Sequence, residues 1–497
     1  MKKTTISNCM SALFVSLLSL FACSANTPGT MPDPEPDVKV IKLNSIDKKV
    51  TGLENGFYDF RFVVKGNPAQ EAIWVKAGNH CSTSLLSGSA WAEGVVRGIE
   101  VTDGTLGISY GCLDGTSADV TFSSLYLTKV EASQTFLKGG DMSLLTLEEK
   151  NGTKYYDTDG KEGDCFAIMK ANGCNIVRLR LYNDPGNPDY YPSGDLPSGV
   201  QDEADILALA RRAKDAEMEI ELTFHYSDYW SNGDEQYKPH AWKDYSFEQL
   251  KEVMYTYTKD FLEKMNAQGT TPAYISLGNE MQSGILFGAI DENTGLPSDV
   301  VNGYCSNMGN LAALLNSASK ACRDVCPDSK IVLHLTTGSS TAKDAYVWFL
   351  TEMQDYNVDY DVIGASYYPF WGNFTIETVL SWAEYLTDRY QKDWIFMETG
   401  FAWNAKLRDG SDGQISNNLP YTDMTKEAQR RFLLQLTQGM KNASNGHLLG
   451  YIYWDPIYID APNCGWKKGG KNVTGNSTLF DFDGKALPAF DAMKYNY

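Results

Sequence analysis

The chain has 497 residues with 43% hydrophobic content, enough for more than one folded unit, and a formal charge of -20 with an isoelectric point near 4.7. Such an acidic chain repels phosphates before they dock, which argues against nucleic acid and against electrostatic capture by an anionic membrane, and favours a neutral partner. Aromatic residues reach 12%, with 11 Trp and 29 Tyr, a supply of flat apolar faces that suits sugar rings and β-rich cores alike.

The first residues read as targeting. Lys2 and Lys3 precede an apolar stretch from Met10 to Ala22 that is too short for a permanent span, so residues 1–22 are expected to be a signal peptide. Leu20-Phe21-Ala22-Cys23 resembles a bacterial lipobox. That resemblance implies acylation of Cys23 and a lipid anchor in the envelope of a Gram-negative bacterium, at the outer membrane or cell surface. Residues 23–38 are proline-punctuated, acidic and small, a composition that buries no apolar surface and forms a flexible tether.

Residues 39–133 carry short alternating segments such as Tyr58–Val64, Ala72–Val75, Leu106–Tyr110 and Val120–Val130, separated by Gly, Asn and Asp, which predicts a small β-sandwich. Its spacing resembles jelly-roll carbohydrate-binding modules, with Trp74 and Trp91 as a possible sugar platform or as core. Cys81 and Cys112 lie here and can pair in an oxidising compartment, although spacing alone assigns no connectivity.

From residue 134 to 497 the pattern becomes apolar strands alternating with amphipathic helices, the signature of βα units around a parallel sheet. The predicted strands are Phe136–Gly139, Ile176–Leu181, Ile220–His225, Tyr274–Asn279, Ile331–Leu335, Val362–Tyr367, Trp394–Glu398 and Leu449–Trp454. Predicted helices include Ala204–Ala216, Phe247–Ala267, Asn310–Val325, Ile376–Tyr390 and Lys426–Lys441. Eight such repeats close most economically as a (β/α)8 TIM barrel, whose chemistry lies at the carboxyl ends of its strands. No Gly-rich phosphate loop follows an early strand, which disfavours an open doubly wound sheet.

Two strand ends carry a carboxylate: strand four ends Gly278-Asn279-Glu280 and strand seven ends Met397-Glu398-Thr399. Glycoside hydrolysis needs one carboxylic acid to protonate the leaving oxygen and one carboxylate to attack or stabilise the anomeric carbon, ~5–5.5 Å apart in a retaining enzyme. Arg180 and Arg178 share one strand face, with Arg180 nearer the carboxyl end, and Arg180 is expected to orient the nucleophile. His225 ends strand three and is expected to bond a sugar hydroxyl or Glu280. Tyr368 and Trp454 end strands six and eight, where rings can floor a cleft, and Trp230, Trp242 and Trp371 sit on loops as candidate outer subsites.

Asn279-Glu280 at the end of strand four and Glu398 at the end of strand seven resemble the motifs of the clan A glycoside hydrolases. The resemblance implies that Glu280 is the acid/base, Glu398 the nucleophile and Asn279 a ligand of the sugar 2-hydroxyl. Lys138–Ser143, Asn175–Pro185, His225-Tyr226-Ser227-Asp228-Tyr229-Trp230, Pro239–Trp242, Ser366–Trp371 and Tyr453–Pro456 resemble, in that order, glycoside hydrolase family 53. This implies an endo-β-1,4-galactanase acting on galactan or type I arabinogalactan of pectin, without a catalytic cofactor, and includes Asp228 among the substrate-binding residues. Bacterial members of the family often hold a structural calcium after strand seven, which would here fall to Asp409, Asp412 and Asn417, with Asn418 beside them. Other readings are a clan A endo-glycanase for mannan, xylan or β-glucan, and a non-catalytic glycan-binding lipoprotein.

Overall fold

The computed structural model describes residues 40–497 apart from 44–45, 47–48, 67–70, 87, 89, 133–134, 187–198, 289–306, 338–341 and 444–445. The signal peptide, Cys23 and the tether therefore lie outside the described residues. Antiparallel sheets occupy the first part. One orders Val40–Lys42, Val120–Val130, Gly56–Gly66 and Ala92–Val101, and a second orders His80–Leu85, Ala72–Ala77 and Ile108–Cys112. Phe60, Phe62, Ile73, Val75, Val96 and Leu127 point between them and form a separate apolar core, as alternation along the strands requires.

Trp74 and Trp91 fall on different sheets of this sandwich, Trp74 within Ala72–Ala77 and Trp91 just before Ala92–Val101, where Lys65 Nζ lies 5.0 Å from its ring. Cys81 and Cys112 are both free. They sit on the outer strands of the three-stranded sheet, opposite Lys76 and Ile73 of the strand between them. An intervening strand keeps them too far apart for a disulfide with each other.

Eight parallel strands then close a barrel in chain order. They are Leu137–Asp141, Ile176–Leu181, Glu219–Phe224, Tyr274–Ser276, Lys330–Thr336, Val362–Tyr367, Asp393–Thr399 and Leu448–Tyr453. The helices outside them start at residues whose side chains accept an otherwise unmatched backbone N–H. Asp202 caps Glu203–Asp215, Thr375 caps Ile376–Tyr390, and Thr425 caps Lys426–Asn442, while Ser246 and Gln249 form a reciprocal capping box for Phe247–Ala267.

Inside the barrel, alternation puts Leu137, Ile176, Val332, Val362, Ile395, Met397, Leu449 and Ile452 in one apolar plug. On strand two the next inward residues are Arg178 and Arg180, both fully buried, so charge is stacked directly on the plug. Strand four stops at Ser276 because Gly278 takes φ +141°, a turn that only glycine adopts without strain.

The sandwich is tied to the barrel by helix Lys426–Asn442 and by the last residues. Arg97 Nε donates to Lys441 O at 2.7 Å, Lys441 Nζ to Cys81 O at 3.0 Å, and Glu71 pairs with Arg430 at 2.7 Å. Cys81 and Tyr497 exchange backbone hydrogen bonds of 2.9 and 3.2 Å.

A Cβ on Gly139 of strand one would lie 1.7 Å from Ile176 O, a backbone atom with nowhere to move. Gly139→Ala is expected to cost about 3 kcal/mol or more and to lower Tm by several degrees, measured by thermal unfolding. An unchanged Tm would show that the first two strands do not approach this closely.

Candidate active site

At the carboxyl ends of the strands lies a cleft of about 600 Å³ lined by residues that include Trp230, Glu280, Tyr368, Trp371, Glu398, Trp454 and Trp466. Among its described lining residues none comes from the sandwich. Both predicted carboxylates thus open into one space, Glu280 just past strand four and Glu398 on strand seven, with two strands between.

Glu398 reaches that space through a break in alternation. Strand seven pairs Phe396 with Ala365 and then Glu398 with Ser366, a bulge that absorbs Met397. Met397 therefore stays in the apolar plug, and the following residue still faces inward. Arg178 Nη1 donates to Glu398 Oε1 at 2.6 Å, and the Tyr368 hydroxyl donates to Oε2 at 2.9 Å.

The arginine against Glu398 is Arg178, not Arg180 as expected from its place nearer the strand end. Arg178 also donates to Asn279 Oδ1 at 2.6 Å and to Thr223 Oγ1 at 3.0 Å. Arg180 stands one layer higher. Its Nε is 2.9 Å from Asp141 Oδ2, its Nη2 donates to Asp455 Oδ1 at 2.8 Å, and its guanidinium lies 4.9 Å from the centre of the Trp230 ring. Alternation shows that both side chains face inward, but only the stagger of the closed sheet decides which one is level with Glu398.

Glu280 follows Asn279 in the left-handed region, φ 50°, an uncommon conformation for a non-glycine residue. Its own backbone carbonyl accepts from Gln236 Nε2 at 3.4 Å. Burial, and after it the charge of Glu398, push its carboxyl up to about 7. Asn279 is held at both ends of its amide, by Arg178 and by its own Nδ2 donating to Ser231 O at 2.7 Å. One N–H of the amide remains for a ligand.

His225 is buried just past strand three. Its Nδ1 accepts from Ser231 N at 3.1 Å, so the proton of the neutral ring sits on Nε2, which has no protein partner. Burial first, then Arg178 and Arg180, hold its pKa well below the usual value. Its expected bond to Glu280 is not formed.

Trp230 packs against Trp466 in a stacked arrangement, centroids 5.9 Å apart, and edge-on to Trp454. Trp454 in turn meets Tyr368 at 5.9 Å, close to perpendicular. These rings form one continuous wall.

Two expected binding residues fall outside it. Trp242 is buried on the flank, edge-on to Tyr257 of helix Phe247–Ala267 at 5.5 Å, because the short turn His240–Trp242 folds back onto that helix. Asp228 is buried and fastens loops, accepting from Asp184 N at 3.1 Å and His240 N at 2.7 Å.

The expected calcium donors do not converge. Asp409 pairs with Lys471 and Asp412 with Lys406, Asn417 Oδ1 accepts from Leu419 N, and Asn418 bridges Ala402 and Asp423. Lysines already neutralise the carboxylates, and among the described residues no group of three His, Cys, Asp or Glu could hold a metal.

Several contributors carried little or no signal. Trp466 and Lys467 lie on a glycine-rich loop after strand eight. Glu221 sits within an ordinary strand pattern, 3.5 Å from Arg178. Asp141 and Asp455 were better marked, since one ends strand one and the other follows strand eight.

A closed parallel barrel with an ion-paired carboxylate at the end of strand seven and a buried carboxyl of raised pKa after strand four is the arrangement of a glycoside hydrolase. The comparison with known proteins narrows this: the sequence model described as Glycosyl hydrolase family 53 matches residues 137–493, and the chain belongs to that family. It is 30% identical over 389 residues to the arabinogalactan endo-beta-1,4-galactanase of Cellvibrio japonicus (strain Ueda107), covering 76% of this chain and 96% of that one. It is 27% identical over 411 residues to the endo-beta-1,4-galactanase of Bacillus subtilis (strain 168), covering 76% and 90%. Among solved structures the Ignisphaera aggregans GH53 catalytic domain shares 31% identity with a TM-score of 0.65, covering 73% of this chain and 96% of that one.

Lysine keeps a positive charge but cannot span Glu398, Asn279 and Thr223 together. Arg178→Lys is therefore expected to lower kcat for glycan hydrolysis about 10²-fold. Steady-state kinetics on protein with a native circular dichroism spectrum checks this, and a kcat within threefold of the parent would remove Arg178 from the positioning role.

Proposed function

We propose that this enzyme hydrolyses internal β-1,4-galactosidic bonds of galactan or type I arabinogalactan with retention of anomeric configuration. The observation that carries the chemistry is the unequal treatment of two carboxyls facing one cleft. Glu398 has a guanidinium on one oxygen and a phenol on the other, whereas Glu280 is buried and pushed up to about 7. The first is suited to attack the anomeric carbon and the second to donate a proton to the leaving oxygen.

In this reading the reacting sugar lies over Glu398, against the wall formed by Tyr368 and Trp454. Glu280 protonates the glycosidic oxygen as the Glu398 carboxylate forms a glycosyl ester. Glu280, now a base, takes a proton from the water that cleaves the ester. The choice of galactan rests on family membership and on relatives named as galactanases. The internal mode of cleavage rests on the length of the aromatic wall. Display on a Gram-negative envelope through acylated Cys23 is part of the same proposal and rests on the lipobox.

Product analysis on a polysaccharide panel tests the substrate: potato galactan should be cut to oligosaccharides, and rapid cleavage of mannan with galactan intact would overturn the assignment. Glu398→Ala should lower kcat by more than about 10³-fold, and NMR of the first product should show the retained anomer. An inverted anomer would end the covalent mechanism.

The acid must be protonated, so activity is present below its pKa and lost above it. kcat/KM is expected to fall as pH rises through about 7. A profile flat to pH 9 would mean that Glu280 is not the acid.

A further inference from the structure

The cleft is electrostatically lopsided, and the substrate reading above gives that asymmetry a direction. Around Glu280 its lining adds Asp234 and Glu235. Their loop is placed on that side: Gln236 Nε2 donates to Asn279 O at 2.6 Å, and Gly233 lies against Gln282, past strand four, and Thr336, at the end of strand five. Since Glu280 protonates the leaving oxygen, this acidic rim borders the departing, reducing-side part of the glycan. The other direction from Glu398 runs Tyr368, Trp454, Trp466, and Lys467 follows at once in the chain.

Among the described residues that line the cleft, Lys467 is the one cation. Lys471, by contrast, is tied to Asp409 and Lys406 to Asp412, while Lys468 beside Lys467 is exposed but does not line the cleft. Lys467 is exposed and makes no ion pair among the described residues, although the chain is strongly acidic.

Its position is nonetheless held. Gly470 N donates to Lys467 O at 2.8 Å, and a Cβ on Gly465 would lie 2.2 Å from the Gly470 backbone, so the loop closes tightly on itself. Asn472 fastens its end, with Nδ2 donating to Tyr458 O and Ile459 O at 3.0 and 2.8 Å and Oδ1 accepting from Thr474 N at 2.8 Å. Trp466 is clamped between Trp230 and Tyr458. A neutral glycan gives an unpaired ammonium on an anchored loop of the cleft wall nothing to neutralise. A sugar bearing a carboxylate does.

We propose that Lys467 is a specificity residue that recognises a uronate on the non-reducing side of the scissile bond, and that Asp234 and Glu235 reject one on the reducing side. The enzyme therefore accepts acidic galactan fragments in one orientation only. The ammonium meets the uronate beyond the reacting ring and takes no part in bond cleavage.

The test uses β-1,4-galacto-oligosaccharides carrying a uronic acid at either end, each matched with its carboxyl-reduced form. Measured quantities are kcat/KM at low and high salt and, separately, binding by tryptophan fluorescence. The parent should prefer the acid over the reduced form about three- to fivefold when the uronate is on the non-reducing side and should disfavour it on the reducing side. The preference should shrink at high salt.

Lys467→Arg should keep the preference and Lys467→Glu should reverse it, a swing of about tenfold in the acid-to-reduced ratio. Equal ratios in the parent and Lys467→Glu, in kinetics and in binding, overturn the proposal. If neutral oligosaccharides are not cleaved at all, the galactanase reading fails instead, and the binding ratio still decides the role of Lys467.

Discussion

The site is organised around a single guanidinium. Arg178 is wholly enclosed by the barrel, and its donors reach Glu398, Asn279 and Thr223 at once, with Glu221 and Asp141 within 4 Å. A charge so far from water is tolerated only if each of its donors is matched. The ends of strands one, two, three, four and seven are therefore constrained together. Moving any one of them would leave a buried charge or amide unsatisfied, at a cost on the order of several kcal/mol. Glu398 and the residue preceding Glu280 are thus parts of one rigid hydrogen-bonded unit, and their relative placement follows from the barrel rather than from a loop.

That arrangement also decides where protons reside. Arg178 and Arg180 face the carboxyls of Asp141, Glu221, Glu280, Glu398 and Asp455, so negative groups outnumber positive ones in a space that water hardly enters. Burial pushes Glu221 up to about 8 and Glu280 up to about 7, and it raises Asp455 as well. Glu221 and Asp455 are raised despite an arginine beside each, whereas Glu280 is raised by burial and by the charge of Glu398. Of the groups pushed up, Glu280 lines the cleft, which is what a proton donor to substrate requires.

Much of this was legible in the sequence because barrel strands are short apolar runs flanked by turn residues. Ile176–Leu181 and Val362–Tyr367 end where the pattern says they should, and Glu280 and Glu398 were marked by being acidic at strand ends. What alternation could not supply was depth and phase. Arg178 and Arg180 read as equivalent inward residues until the stagger of the closed sheet sets their levels. Glu398 is inward only because the bulge at Met397 resets the count. Loop aromatics were the least legible, since Trp242 and Trp466 have similar local surroundings in the chain. One folds onto its helix and the other onto the cleft, and that difference is made by partners far away in sequence. The dispersal of the expected calcium donors has a related reason: Lys406 lies beside the acidic loop in sequence and Lys471 far along the chain, and only the fold shows them claiming its carboxylates.

The division of labour between strands and loops follows from these constraints. Reacting groups sit on or just past strands, where a sub-ångström displacement is opposed by the whole sheet. The surfaces that meet the polymer sit on long loops, where Trp230, Trp454 and Trp466 brace one another through ring contacts rather than through backbone pairing. Ring-on-ring packing accommodates substitution at its edges more readily than a buried ion network does. The same barrel can therefore change the glycan it grips by altering loop residues such as Lys467 while the Arg178 network, and with it the chemistry, stays as it is. The sandwich, joined through helix Lys426–Asn442 and contributing no described residue to the cleft, leaves that loop surface unencumbered.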